Sequence, residues 1–295
     1  MLPKSPDPQA TVLLFSWQTT WTCLLATVLE LGALTWYVRA ARRLAALGRP
    51  WPRVRFASFV VGLLVVAYAV EGGIAHYERS NFSAHVVQLL LLVDIAPPLL
   101  AIGSPLRLSL QSSRGPTSTS LAAWLHSRPA RLVGHPFVAF AAAVGTMYAY
   151  FLTPAYALSE RHPVLLAYVE LQFLVAGCLL WWVIVGRDAL PRTVGFGARF
   201  ILVFVSVPFN AFLGLAVASV TKPLFPAGNT LADTRAGGNV LWGLAEVFTV
   251  AALALLFVEW AREEERKAVR NDRQLDAALA VARSSAFVRE PNPGA

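Results

Sequence analysis

Seven long apolar stretches dominate the chain, and each is close to the length that a helix needs to cross a bilayer. About 20 apolar residues in helical form span the hydrocarbon core, and runs of that kind with few charges recur along the sequence. We predict an all-α bundle of seven transmembrane helices at residues 17–38, 56–74, 83–102, 136–152, 163–185, 197–220 and 238–258.

The overall composition agrees with a membrane protein. Hydrophobic residues make up 56% of the chain and charged residues only 14%, and the mean hydropathy is +0.56, which is outside the range of ordinary soluble domains. The two cysteines, Cys23 and Cys178, both fall inside predicted helices. Without paired spacing they indicate small core residues and no disulfide framework.

The distribution of positive charge predicts the orientation. Short loops rich in Lys and Arg stay on the cytoplasmic side of a membrane. Of the 25 lysines and arginines, 20 lie after the first, third, fifth and seventh predicted spans, and five lie on the opposite side. We therefore predict a multi-pass membrane protein with its N-terminus outside and its C-terminus in the cytoplasm. The net charge of +8 is explained by this topology, and we predict no nucleic-acid partner.

The same pattern divides the chain into three parts. Residues 1–16 are predicted to be a short extracytoplasmic segment, residues 17–258 the membrane domain, and residues 259–295 a charged cytoplasmic tail. The spacing of Glu263 and Lys267 supports a solvated helix that continues from the last span.

The third predicted span carries polar groups that are hard to explain by packing alone. Residues 81–107 contain His85 at one end, Asp94 near the middle and Pro97-Pro98 just after it. A buried carboxyl costs several kcal/mol unless it is paired or neutralised, and two prolines remove the backbone donors of the preceding turn. We predict a helix break that bends the span around Asp94.

Ionisable side chains also collect at the predicted outer ends of the helices. Six of them lie on four helices within about two turns of that end: His76, His85, His162, Glu71, Glu170 and Glu246. Imidazole and carboxylate are common ligands of divalent transition metals, and imidazole also suits copper, so we predict an outward-facing metal pocket. The alternatives are interfacial or helix-start histidines and acids that form hydrogen bonds between helices. We assign no function to Glu30, which lies deep in the first predicted helix.

Four segments, in order, resemble one known family. They read NFSAHVVQLLLLVDIAPPLLAIGSPLRL, HPVLLAYVELQFLVAGCLLWWVIVG, PFNAFLGLAVASVTKPLFP and DTRAGGNVLWGLAEVFTVAALALLFVEWAREEERKAVRNDRQLD. The chain resembles the Caa3-type cytochrome c oxidase assembly proteins, seven-helix membrane proteins implicated in delivering or inserting copper. The likeness extends from about residue 56 to residue 280.

The chain departs from the pattern of that family at three positions. Val86 follows His85 where the family typically has a methionine, Leu89 stands where a second histidine is expected, and Leu171 replaces a histidine after Glu170. The resemblance therefore leaves two hypotheses about metal binding open. Either His85, His162 and carboxylates bind the metal, or the chain serves assembly without metal.

The resemblance implies an assembly factor for a haem-copper cytochrome c oxidase, located in the bacterial plasma membrane. It would hold or pass copper at the outer membrane face, and its partners would be oxidase subunits, in particular the catalytic subunit. Ligand exchange suffices for that role, so we expect no enzymatic activity. The alternative is a transporter or proton relay that uses Asp94, Glu170 and Glu246; the apolar inner halves of the third, fifth and seventh helices favour the assembly role.

Overall fold

The computed structural model describes residues 9–78, 80–113, 116–189, 194–224 and 229–289, and every regular element in these ranges is helical. The helices are α1 (Ala10–Phe15), α2 (Trp21–Ala46), α3 (Arg53–Val70), α4 (Gly73–Tyr77), α5 (Phe82–Leu90), α6 (Ala96–Gly103), α7 (Pro105–Ser112), α8 (Pro116–Leu125), α9 (Arg128–Val133), α10 (Pro136–Leu152), α11 (Ala155–Ser159), α12 (Pro163–Val185), α13 (Phe196–Ala218) and α14 (Leu231–Arg289). A π-helical segment, Leu91–Ile95, joins α5 to α6.

Six helical runs among the described residues are long and apolar enough to cross a membrane. They are Trp21–Ala46, Arg53–Tyr77, Phe82–Ser112, Pro163–Val185, Phe196–Ala218 and Leu231–Leu279. The remaining predicted span is α10, which is apolar but has only 17 residues. An all-helical, multi-pass membrane protein is therefore confirmed, whereas the number seven and the orientation of the termini stay predictions.

Two of the helices that begin with proline have the predicted boundaries. Helices α10 and α12 coincide with the predicted spans 136–152 and 163–185, and both have Pro at their first position. Proline is favoured there because its missing N–H would have no partner in the helix and its φ is already helical.

The first and last spans differ from their predicted limits. Helix α2 begins at Trp21 and continues to Ala46. Arginine has a high helix propensity, so the arginines near the end of this helix do not interrupt it. Helix α14 begins seven residues before the predicted start, at Leu231, where the Thr230 hydroxyl accepts a hydrogen bond from the Asp233 N–H (3.1 Å). It then runs beyond the predicted span to Arg289.

The third span changes its helix type before the two prolines. The π-helical segment ends at Ile95, and Pro97 and Pro98 then occupy the first turn of α6, where no helical N–H is needed. A second interruption occurs at Ser104, whose left-handed backbone (φ 54°, ψ 54°) ends α6 before α7 starts.

Two aspartates close helix N-termini that are distant in the sequence. The Asp233 carboxylate accepts hydrogen bonds from the backbone N–H groups of Phe82 (2.6 Å) and Ser83 (3.3 Å). Asp188 does the same for Leu106 (3.1 Å) and Arg107 (2.6 Å). Free N–H groups and the helix dipole both attract an anion to this position, so these contacts fix α14 to α5 and the segment after α12 to α7.

Close helix packing surrounds the third span. Helix α6 packs against α3 and α12, and α10 packs against α12. A Cβ added at Gly177 of α12 would lie 2.5 Å from the carbonyl oxygen of Val93 in the π-helical segment. Only a glycine allows this approach, because real Cβ atoms do not come within 3.0 Å of a heavy atom.

The described chain separates into two compact units, one up to Val250 and one from Ala251 onward. The second unit is the remainder of α14, and its side chains beyond Trp260 are exposed up to residue 279. Lys267 Nζ lies 2.8 Å from Glu264 Oε1 and 3.7 Å from Glu263 Oε1, so the predicted pair of Glu263 and Lys267 is present.

Candidate functional site

His85 is fully buried, and both of its ring nitrogens are engaged. Its Nδ1 lies 3.0 Å from Gln88 Oε1, and its Nε2 lies 2.8 Å from the Tyr150 hydroxyl. Residues three apart share one face of a helix, which places His85 and Gln88 of α5 side by side. Because the Gln88 oxygen is an acceptor, this arrangement puts the imidazole proton on Nδ1 and leaves Nε2 to accept from Tyr150.

Gln88 connects the histidine to two buried carboxyl groups. Its amide nitrogen donates to Glu170 Oε1 (2.6 Å) and to Glu78 Oε2 (3.1 Å). Gln88 is completely buried, and Glu78 and Glu170 are 9% and 7% exposed. A buried carboxyl needs hydrogen-bond donors to offset the loss of water, so the bridging amide stabilises both acids within the bundle.

The network continues from Tyr150 of α10 into α11. The Tyr150 and Ser159 hydroxyls are 3.0 Å apart, and the Ser159 hydroxyl donates to the carbonyl oxygen of Tyr156 (2.8 Å). The Asn229 amide donates to the Tyr156 hydroxyl (2.8 Å). Burial raises the pKa of Tyr156 well above its usual value, so this phenol remains neutral.

A cleft of about 360 Å³ opens beside the two bridged acids. Its wall comes from the residues before and at the start of α2, from α4 and from the start of α12. The polar residues that line it are Gln18, Thr20, Thr22, Cys23, His76, Glu78 and Glu170. We call it the carboxyl cleft. It presents a thiol, an imidazole and two carboxyl groups, which are the ligand types of transition metals.

The structure brings only part of the predicted metal set to this cleft. His76 and Glu170 line it, and His85 lies behind them, joined to Glu170 through Gln88. Glu71 instead accepts a hydrogen bond from the Thr27 hydroxyl (2.6 Å) between α2 and α3.

The other predicted ligands lie outside the cleft lining. His162 is the exposed N-cap residue of α12, and Glu246 is partly buried on α14. Across the described ranges, no group of three or more His, Cys, Asp or Glu residues could hold a metal ion as placed. The metal set therefore stays a prediction.

Sequence reasoning missed Glu78, Gln88 and Cys23. A signal for Gln88 existed, because it is a polar residue in an apolar helix, three positions after His85. Glu78 lies between α4 and α5, and Cys23 is in the first turn of α2. Their closeness to Glu170 depends on how the helices pack. The same packing brings Glu30 of α2 into the neighbourhood of Glu71.

Asp94 lines a separate, smaller cavity of about 30 Å³, which is large enough for a water molecule. Its other polar lining residues are Trp181, Ser206, Asn210 and Thr249. The Ser206 and Thr249 hydroxyls donate to carbonyl oxygens of their own helices. Of the three acids of the relay alternative, Asp94 lines this small cavity and Glu170 lines the carboxyl cleft, whereas Glu246 lines neither of the two.

Comparison with known proteins gives one family. The model of the cytochrome c oxidase caa3 assembly factor matches residues 35–263. The protein Mb0105 of Mycobacterium bovis is 28% identical over 267 residues, which cover 85% of this chain and 40% of that protein. ML1998 of Mycobacterium leprae is 29% identical over 272 residues, 86% of this chain and 41% of that protein. The chain thus spans about two fifths of the length of the curated relatives it matches. No solved structure matches it.

Proposed function

The chain belongs to the cytochrome c oxidase caa3 assembly factor family, and from that premise we propose that it assists oxidase maturation by passing copper through the carboxyl cleft. The observation that carries this proposal is the lining of the cleft. Cys23, His76, Glu78 and Glu170 line one open space, and thiolate, imidazole and carboxylate are all copper ligands.

The loose arrangement of these groups suits transfer better than storage. No three ligands are already gathered in the described residues, so copper would be held by few bonds at a time and released easily. Ligand exchange of this kind needs no covalent chemistry. The catalytic subunit of the oxidase would be the acceptor at the outer face of the membrane.

His85 acts in this proposal as a positioning residue. Its ring fixes the Gln88 amide, and that amide fixes the two carboxyl groups at the back of the cleft. A copper ion that enters the cleft would then replace the Gln88 N–H as the partner of the Glu170 carboxylate.

Copper analysis of purified protein tests the proposal. The protein is loaded with Cu(I) under reducing conditions, and copper per chain is measured by mass spectrometry. We expect about one copper per chain, and we expect His76→Ala to weaken binding by about 10- to 100-fold. His126→Ala is the matched control, because this exposed histidine lies outside the cleft lining and is not among the predicted ligands. Equal copper binding by both variants would contradict the proposed site.

A second candidate is assembly without metal, and the hydrogen bonds of His85 favour it. Both nitrogens of the most deeply buried predicted ligand are already occupied. In that case the purified protein binds no copper, yet cells that lack it make less active oxidase. Unchanged oxidase activity and copper content in such cells would count against both candidates.

A further inference from the structure

An apolar groove of about 270 Å³ lies away from the carboxyl cleft, towards the other end of α12. The start of α7, the end of α8, α9 and α12 form its walls. Its lining includes Leu106, Trp124, Ala130, Val133, Leu179 and Trp182. The lining is almost wholly apolar, so water gains little from entering it. We call it the basic-rimmed groove because of its surroundings.

Three exposed arginines lie within two residues of the groove lining along the chain. Arg107 follows Leu106, and Arg128 and Arg131 lie on α9 beside Ala130. Within the described part of the chain, none of the three guanidinium groups forms a hydrogen bond or ion pair. The nearby Asp188 is already used, since its carboxylate accepts from two backbone N–H groups at the start of α7 and from the Trp182 indole. The rim therefore offers unpaired positive charge beside an apolar space.

The short helices at the groove have the character of a membrane interface. Helices α8 and α9 have 10 and 6 residues, too few to span a bilayer. Trp124 is 58% exposed and Leu132 is 62% exposed. Exposed tryptophan and apolar residues next to arginine are typical of segments that lie at the headgroup level.

We infer that the basic-rimmed groove binds an anionic phospholipid. One acyl chain occupies the apolar groove, and the phosphate is held by Arg128 and Arg131. Charge complementarity selects this occupant, because an apolar lining alone accepts any acyl chain, whereas unpaired arginines at the headgroup level favour a lipid with net negative charge. The inference does not depend on copper handling, because the groove and the carboxyl cleft share no lining residue.

Lipid retention tests the inference. The full chain is reconstituted with equal amounts of palmitoyl-oleoyl phosphatidylglycerol and phosphatidylcholine, released gently, and the lipid that stays bound is identified by native mass spectrometry. We expect one phosphatidylglycerol per chain in preference to phosphatidylcholine. The double variant Arg128→Gln/Arg131→Gln should weaken this retention by about 10- to 30-fold. The matched control is Arg42→Gln/Arg49→Gln, which removes the same charge from exposed positions outside the groove lining.

A second variant separates the acyl-chain site from simple charge attraction. Ala130→Phe fills the groove and keeps every arginine, so retention should fall although the net charge is unchanged. Circular dichroism establishes that each variant remains helical. Retention of both lipids in equal amounts, or equal losses in the rim variant and its control, would overturn the inference. So would full retention by Ala130→Phe.

Discussion

Both ring nitrogens of His85 have hydrogen-bond partners, so this imidazole acts by orienting its neighbours and has no free lone pair. The Tyr150 hydroxyl holds one side of the ring and the Gln88 amide the other. The orientation of Gln88 then decides which way the two buried carboxyl groups face. A single tyrosine hydroxyl therefore influences the geometry of the cleft from the far side of the network.

Removal of that hydroxyl should be costly. Tyr150→Phe leaves Nε2 of the buried histidine without a donor, and an unsatisfied buried acceptor lowers the free energy of unfolding by about 1–3 kcal/mol. Thermal unfolding in detergent measures the difference. Tyr168→Phe is the control, because Tyr168 is 59% exposed, and we expect almost no change there. Equal stability of the two variants would contradict the role assigned to Tyr150.

For single residues, the sequence could predict how far along its helix a side chain lies, but not which other side chains it contacts. The predicted topology placed His76 and Glu170 at one end of the bundle, and they do line one cleft. The same argument placed Glu71 there, yet its side chain turns to Thr27 of α2. Distance along a helix is readable from residue number, whereas the direction of a side chain depends on how each helix is rotated in the packed bundle.

Among the helical elements, the third span departs furthest from a regular helix. It passes from α-helix to π-helix and back before Ser104 interrupts it. The prolines made an interruption predictable, but the type of interruption also depends on α12. Because Gly177 has no Cβ, the backbone of α12 can pack closely against the backbone of the π-helical segment.

A methyl group at that contact should disturb the packing. Gly177→Ala would place a Cβ 2.5 Å from the Val93 carbonyl oxygen, and we expect a loss of about 1–3 kcal/mol in the free energy of unfolding. Gly145→Ala in α10 is the control, because nothing lies within 4 Å of its added Cβ. That change should be neutral or should stabilise the helix by about 0.5–1 kcal/mol. Similar melting temperatures for the two variants would argue against a close contact at Gly177.

Helix ends could be predicted where a proline or a glycine marks them. Two helices begin at the predicted residues, Pro136 and Pro163. Gly48, with φ 74°, marks the end of α2, although the arginines before it suggested an earlier loop. A charged residue indicates that the chain is exposed to solvent at that position, but it does not end a helix.

For the molecule as a whole, the carboxyl cleft and the basic-rimmed groove lie towards opposite ends of α12. The charge distribution predicts that the first faces outward and the second faces the cytoplasm. This division agrees with the two proposals, which place copper at the outer surface and an anionic lipid at the cytoplasmic one.

Cysteine labelling in whole cells tests the orientation. In a background with Cys23→Ser and Cys178→Ser, single cysteines are introduced as Arg161→Cys and Ser120→Cys, both at exposed positions. A membrane-impermeant maleimide should label the first from outside and reach the second only after the membrane is permeabilised. The reverse pattern would show that the positive loops face outward.

The bond between Asp233 and the start of α5 also sets an order of events during synthesis. The carboxylate is 151 residues after its partner Phe82, and a ribosome adds about 5–20 residues per second. For roughly 8–30 s, therefore, the helix that carries His85 and Gln88 lacks the acceptor for its Phe82 and Ser83 N–H groups. The start of α5 therefore reaches its final form only after α14 has been made, so the helix that carries His85 and Gln88 is fixed at its N-terminus late in synthesis.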